Sequence, residues 1–465
     1  MLSLLYRLSP NFPGNLWLLK SLSIVAMFGA GVLAYHYFHR YRQVPRWVAL
    51  GIAGHTALYP ALVFLATSAV MSECVFMLME LAALVLVERC VVQKETARGW
   101  RWALLSGLIV GLALLTRPAG LGLAIGGLLY LLKEKLPRAA IAFAACIAVI
   151  AGGWMLYSRA HAPTAAQNDE QRGNIVQPYG VQLFQKTAGQ PLSGTITAAD
   201  LPDRAINNLT EVVRYDIGAL AFYPMFRPLE PGESIRVGSE ARTLSYFFTA
   251  LTLFGYVMLL RKRATMLELM LPFALLTMLF WGWEQYRLLL PLTPFLIFYL
   301  LAGTAEIMAL LQKLTGQENQ PRQWLIATAL VWLFVAASAY SNFEFIQRKN
   351  DPSPAYSSKW IRAFNENEAL IKYVAANLPK DTVLASQNPA LVHLYTGHKT
   401  VAFESPATAW ENWKKLGVRY VVQTSPYALG PPTPQENTFR IAYRQEGAFN
   451  LRVLDLGEPT TRPNW

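Results

Sequence analysis

Apolar residues in this chain come in long unbroken runs, separated by short clusters of arginine and lysine. Ten runs are long enough to read as helices crossing a bilayer, which takes ~20 residues each, or slightly fewer beside a re-entrant loop. They lie near 16–38, 47–68, 73–91, 102–116, 119–135, 139–157, 243–261, 265–282, 288–307 and 323–341. The links at 69–72 and 117–118 are short enough to make tight helical hairpins. Pro118 and Gly120 break the apolar stretch from Trp102 to Leu132 into two helices, because proline removes a backbone donor and clashes with the preceding turn.

The basic clusters set an orientation. Arg40, Arg42 and Arg46 follow the first run, and Lys94, Arg98 and Arg101 the third. Lys133, Lys135 and Arg138 follow the fifth, Arg261, Lys262 and Arg263 the seventh, and Lys313 and Arg322 the ninth. By the positive-inside rule these loops are cytoplasmic. The four parts expected are an N-terminal bundle of six helices (1–157), an outer loop (158–242), a second bundle of four helices (243–342) and an outer C-terminal domain (343–465). The fold class is mainly α, a polytopic membrane protein with a small extracytoplasmic α/β domain.

The outer loop is polar and is expected to carry helix on the membrane surface around Ala199–Asp216. In it, Asn208-Leu209-Thr210 matches a glycosylation triplet that is common by chance. In the tail, Asn365–Asn377 reads as an amphipathic helix and Pro389–Tyr395 as a short one ended by Gly397. Ala407–Leu416 reads as a third helix, ended by Gly417. Strands are expected at Thr382–Ser386, Lys399–Phe403, Arg419–Gln423, Phe439–Arg444 and Asn450–Leu456.

Composition agrees with the pattern. Of 465 residues, 54% are hydrophobic and 15% charged, with a mean hydropathy of +0.27, too apolar for a soluble chain. The net charge of +12 sits in the short loops, where it orients helices, so nucleic acid is not an expected partner. Cys74, Cys90 and Cys146 all fall inside apolar runs and read as small buried hydrophobes. Met1–Asn15 is neither a signal peptide nor a basic tail.

Candidate chemistry gathers at three hairpin ends: Met71-Ser72-Glu73, Thr116-Arg117-Pro118 and Glu284-Gln285-Tyr286-Arg287. The helix alternation puts all three on one face, away from the cytoplasm. Arginine suits a phosphate, because its planar fork pairs bidentately and stays charged; the ordinary reading is snorkelling at a helix end. Glu73 is a candidate base, acceptor-positioning group or ligand for a divalent metal ion; the ordinary reading is a first-turn acid behind a Ser72 cap. Glu284 and Tyr286 flank Arg287, Glu284 as the group that orients it. Trp281 and Trp283 read as interfacial anchors. Glu80, two turns below Glu73, is expected to pair with Lys20 or His55, or to line an acceptor path. His55 reads as a packing residue near Tyr59 and Pro60. Arg214, Tyr215 and Asp216 are candidates for a lid, and His393 and His398 read as surface residues.

Ser72-Glu73 at a helix start, Gly-Leu-Ala-Leu-Leu-Thr-Arg-Pro at 111–118 and Tyr-Arg-Leu-Leu-Leu-Pro-Leu-Thr-Pro at 286–294, in that order, resemble membrane glycosyltransferases of the GT-C superfamily. The likeness is to the branch with dolichyl-phosphate-mannose–protein mannosyltransferases and bacterial aminoarabinose lipid A transferases. Leu394-Tyr395-Thr396-Gly397-His398 and Leu416–Val422 are similar to the outer tail of its bacterial members. The resemblance covers nearly the whole chain. It implies a bacterial inner-membrane enzyme with a periplasmic C-terminus. Such an enzyme takes a sugar from a polyprenyl-phosphate donor and passes it to a lipid, glycan or protein acceptor. It also implies a first helix and an aspartate-bearing loop, for which residues 1–15 supply only the end. The contrasting readings are a carrier or flippase for a lipid-linked glycan, which would show inverted repeats, and an inactive membrane scaffold.

Overall fold

The computed structural model describes residues 2–10, 12–68, 71–96, 99–161, 179–186, 194–225, 239–315, 323–350, 359–402, 413, 416–425 and 439–457. The helices are α1 Leu2–Leu8, α2 Leu16–His36, α3 Arg46–Leu58, α4 Pro60–Thr67, α5 Glu73–Val92, α6 Trp100–Thr116, α7 Gly120–Lys133, α8 Pro137–Ile147 and α9 Gly153–Ala160. They continue as α10 Tyr179–Leu183, α11 Leu201–Glu211, α12 Ile217–Ala221, α13 Ser239–Arg263, α14 Met266–Leu279, α15 Gln285–Leu289, α16 Thr293–Leu314 and α17 Leu325–Asn350. Helices α18 Lys359–Asn377 and α19 Pro389–Thr396 belong to the C-terminal sheet domain.

Among the described residues, five helical stretches are long and apolar enough to cross a membrane: 16–41, 137–160, 239–263, 285–314 and 325–347. A sixth is the pair α3 and α4, bent by 47°. The bend is written in the sequence: Pro60 pushes Tyr59 out of the helical region to φ −61°, ψ 122°. Four of the ten expected spans are helical but too short or too charged to count with these. Helices α6, α7 and α14 have 17, 14 and 14 residues. Helix α5 has 20 but carries Glu73, Glu80, Glu88 and Arg89.

The stretch 285–314 is the hub and is almost wholly buried. Glycine lets its neighbours come close. A Cβ on Gly126 would stand 2.6 Å from the Met270 backbone, and one on Gly122 2.7 Å from that of Ala274. This four-residue glycine spacing lets α7 lie directly on α14, as small residues do in membrane helix pairs. The contact draws the Arg117–Pro118 hairpin, which starts α7, towards Trp281–Arg287, which follows α14.

At the other end of the bundle, Arg42 and Glu268 form a buried pair with Nη2···Oε1 2.6 Å and Nη1···Oε2 3.0 Å. Glu268 also closes a capping box with Thr265 and accepts from the Tyr299 hydroxyl at 2.9 Å. Arg42 further donates to Thr265 Oγ1 and lies 5.2 Å from the Phe298 ring centre. A residue read as a loop charge is thus an internal clasp joining α2, α14 and α16.

The C-terminal domain has strands β1 Val383–Ser386, β2 Thr400–Ala402, β3 Val418–Gln423, β4 Arg440–Arg444 and β5 Arg452–Asp455. Their order is β2-β1-β3-β5-β4, with the first three parallel and β5 and β4 antiparallel. Alternate residues face two cores: Leu384, Val422 and Val453 pack with Leu370 and Val374 of α18, and Ala385, Val421 and Leu454 with Trp413. Gly397 ends α19 at φ +74°, a left-handed cap that glycine adopts without strain. The helix expected over 407–416 lies largely outside the described residues. His398 is fully buried, with Nε2 3.1 Å from Pro379 O, so the surface reading holds only for exposed His393. Phe12 meets Tyr395 edge-on at 4.8 Å, linking the N-terminal segment to this domain.

Candidate functional site

The three charged hairpins meet. Glu73 opens α5 and is fully buried. Its Oε1 accepts a hydrogen bond from Arg287 Nε at 2.8 Å and lies 2.9 Å from Arg117 Nη1. Ser72 makes no side-chain cap, so Glu73 is held by tertiary ion pairs rather than by a capping motif. Arg117 is in extended backbone at the end of α6, with 11% of its side chain exposed. Arg287 is on the single turn α15, with 40% exposed, 5.9 Å from the Trp283 ring centre.

A cleft of about 200 Å³ opens beside this triad, lined by Ser72, Thr116, Arg117, Trp281, Trp283 and Arg287 among others. The tryptophans read as anchors therefore form walls of the cleft. Glu284 is exposed and does not orient Arg287; the carboxylate that does so is Glu73. Tyr286 turns away from the cleft, and its hydroxyl meets that of Tyr59 at 2.5 Å. Tyr59, freed by the Pro60 bend, also donates to Ala219 O at 2.9 Å. One short network thus ties α12, α15 and the α3–α4 junction.

The expected partners of Glu80 are absent. Both its carboxyl oxygens are buried without a hydrogen-bond partner, and His55 binds Leu220 O at 2.9 Å and Ser338 Oγ at 3.3 Å instead. Asn208 of the triplet donates to Leu279 O and Trp281 O at 2.7 and 3.0 Å, fastening α11 to the end of α14. No group of three or more His, Cys, Asp or Glu is placed to hold a metal ion among the described residues.

Asp216 is the group that sequence reasoning underrated. It ends a π-helical segment, Val212–Asp216, and is 9% exposed, so it is part of the interior and not a lid. The available signal was an acid abutting the apolar run Ile217–Ala221. Burial, with Glu211 and Glu284 adding to it, pushes its carboxyl up from 3.8 to about 8. Between those values the folded protein keeps a proton that the unfolded chain has released, so stability falls as pH rises across that window. Above it the penalty is constant, and below pH 3.8 it is absent. Asp216→Asn should flatten a slope of at most about 1.4 kcal/mol per pH unit. Thermal unfolding in detergent from pH 5 to 9 measures it; equal slopes in the two proteins would refute the assignment.

The class on which fold and site agree is a helical, membrane-type chain with an ion-paired arginine site and an appended α/β domain. No family profile matches the chain, and no curated protein matches it. Among solved structures it is similar to the oligosaccharyltransferase AglB of Archaeoglobus fulgidus in complex with an inhibitory peptide and a dolichol-phosphate. That match has 15% identity and a TM-score of 0.39, covering 87% of this chain and 57% of that one. The apo form of the Archaeoglobus fulgidus enzyme matches at 13% identity and a TM-score of 0.42 over the same shares. ArnT of Cupriavidus metallidurans bound to undecaprenyl phosphate matches at 11% identity and a TM-score of 0.38, covering 97% of this chain and 85% of that one. AglB and ArnT are GT-C membrane glycosyltransferases. The chain spans little more than half the length of the AglB structures.

Proposed function

We propose that the Arg117–Glu73–Arg287 cluster binds the phosphate of a polyprenyl-phosphate-linked sugar at the outer face of a bacterial inner membrane. The chain then transfers the sugar to a lipid, glycan or protein acceptor, with its C-terminal domain in the periplasm and ten helical segments within the bilayer. The observation that carries this reading is the pair of guanidinium groups held on one carboxylate oxygen at 2.8 and 2.9 Å, in the mouth of a cleft. Glu73 uses only part of each guanidinium's donor set, leaving donors for an anion, and Arg287 offers its share to solvent. Two cations beside a leaving phosphate stabilise the charge that develops as the glycosidic bond breaks. A carboxylate shared by two guanidiniums is a weak base, so its geometry favours the task of aligning them. The aromatic walls suit a sugar ring and the first isoprene units.

The test is binding of undecaprenyl phosphate to the full chain in nanodiscs, followed by quenching of tryptophan fluorescence, with undecaprenol as the uncharged control. Charge-assisted hydrogen bonds are worth about 1.5–3 kcal/mol, so Arg117→Ala and Arg287→Ala should each weaken binding roughly 10- to 150-fold. Undecaprenol should be unaffected. Wild-type affinity in both variants would show that the phosphate sits elsewhere.

A further inference from the structure

Helix α11 (Leu201–Glu211) has three distinct sides. Leu201, Ala205 and Asn208, spaced by four and then three residues, are half-buried against the protein, with Arg204 beside them. Pro202, Ile206 and Leu209 form the next stripe at the same spacing. It is apolar and uncovered, with Ile206 61% and Leu209 47% exposed. Asp203, Asn207 and Thr210 make the third side, polar and exposed. A helix divided into protein, apolar and polar sides suits a boundary between lipid and water, with its rotation set by the protein side. Arg204 fixes it further, donating to Leu183 O and Gln185 O at 2.7 and 2.5 Å.

The level of α11 in the molecule agrees. Asn208 ties it to Leu279 O and Trp281 O at the end of the apolar helix α14. Leu276, one turn back along α14, is 49% exposed, so apolar surface reaches this depth. Tryptophans at the end of such a helix mark the headgroup layer of a bilayer. A stripe of three side chains is too small for a stable protein interface, which takes about 800 Å² from each partner. A leaflet sets no such minimum.

The same tie reaches the cleft. Residues 281–284 belong to no helix or strand, yet Trp281 and Trp283 form its wall. Two carboxamides hold the carbonyls of that wall. Asn208 Nδ2 donates to Trp281 O at 3.0 Å, and Gln285 Nε2 to Trp281 O and Trp283 O at 3.2 and 3.0 Å. Gln285 belongs to α15, which also carries Arg287. Asn208 is thus the point at which a helix with an uncovered apolar side grips the wall beside the arginines.

We infer that α11 seats Pro202, Ile206 and Leu209 in the leaflet that borders the cleft, and that Asn208, as a positioning residue, passes this seating to the Trp281 wall. The partner is the lipid surface itself; the effect on ligand capture rests on the phosphate-binding reading above.

Bimane attached through Ile206→Cys, Leu209→Cys or Asn207→Cys reads the seating in the full chain in nanodiscs, with wild-type protein as the blank. Phosphatidylcholine carrying a nitroxide near the headgroup end of its acyl chain should quench the probes at 206 and 209 roughly threefold more than the probe at 207. Equal quenching at all three positions, or none at any, overturns the seating. Asn208→Ala, and separately the pair Ile206→Ser with Leu209→Ser, should each weaken undecaprenyl phosphate binding about fivefold, the equivalent of one neutral hydrogen bond. All three substitutions together should weaken it no further, because the stripe acts through Asn208. Losses that multiply overturn the positioning role. If wild-type protein fails to bind the lipid while 206 and 209 are still quenched, the phosphate-binding reading falls together with the coupling, and the seating stands.

Discussion

Glu268→Ala should be the most destabilising single substitution in the helical bundle, costing about 3–5 kcal/mol, because it strands Arg42 as a buried, unpaired cation. Arg42 has 6% of its side chain exposed and spends both terminal nitrogens on Glu268. The same change removes the capping box of α14 and the acceptor of the Tyr299 hydroxyl. Arg42→Ala should do nearly as much damage. The double variant Arg42→Met with Glu268→Met should recover most of the loss, since replacing both partners of a buried pair leaves no orphaned charge. Unfolding in detergent followed by circular dichroism provides the cycle. A single-variant loss below about 1 kcal/mol would mean that water reaches the clasp.

Glu73→Ala is expected to act in the opposite sense on ligand dependence. Without the carboxylate, Arg117 and Arg287 face one another with no counter-charge, and stability should drop by about 3 kcal/mol. The vacated position then suits an anion. Inorganic phosphate at ten times its dissociation constant should return about 1.4 kcal/mol to the variant, and the same concentration less to the wild type, where the Glu73 carboxylate repels an anion approaching the remaining guanidinium donors. Melting temperatures with and without phosphate, with chloride as the control, measure the difference. If phosphate stabilises both proteins alike, Glu73 is not what holds the two arginines together.

Local rules made much of the molecule legible. Pro118 and the glycines at 397 and 417 punctuate the chain where the structure turns, and all five strands fall within a residue or two of their expected positions, whereas the break at Pro60 fell inside the run 47–68, read as one span. Hydropathy found the helices, but among the described residues α6, α7 and α14 are shorter than a full crossing and α5 carries buried acids. Pairing across the chain was not legible. Glu73 and Arg287 lie 214 positions apart, and Arg42 and Glu268 226 apart; no periodicity links them. Arg42 counted as a topological charge for the same reason. The three hairpins were read as sharing one face, and the structure adds that they touch. Glu284 was the nearest acid to Arg287 in sequence, and the more distant Glu73 takes its place.

The shortness of α7 has a consequence of its own. Its 14 residues rise only about 21 Å, against a hydrocarbon thickness of about 30 Å. The close-packed α14 is equally short, so where the pair borders lipid it would leave a notch in the bundle wall. Lipids beside a notch must compress or tilt, and the polar headgroup layer then dips towards the protein. Arg117, at the start of that notch, would meet a phosphate arriving sideways along the leaflet, with its isoprenoid tail still immersed. Under the proposed function, bilayer thickness becomes a variable in ligand capture: lipids with shorter acyl chains should relieve the mismatch and bring headgroups and arginines to the same depth.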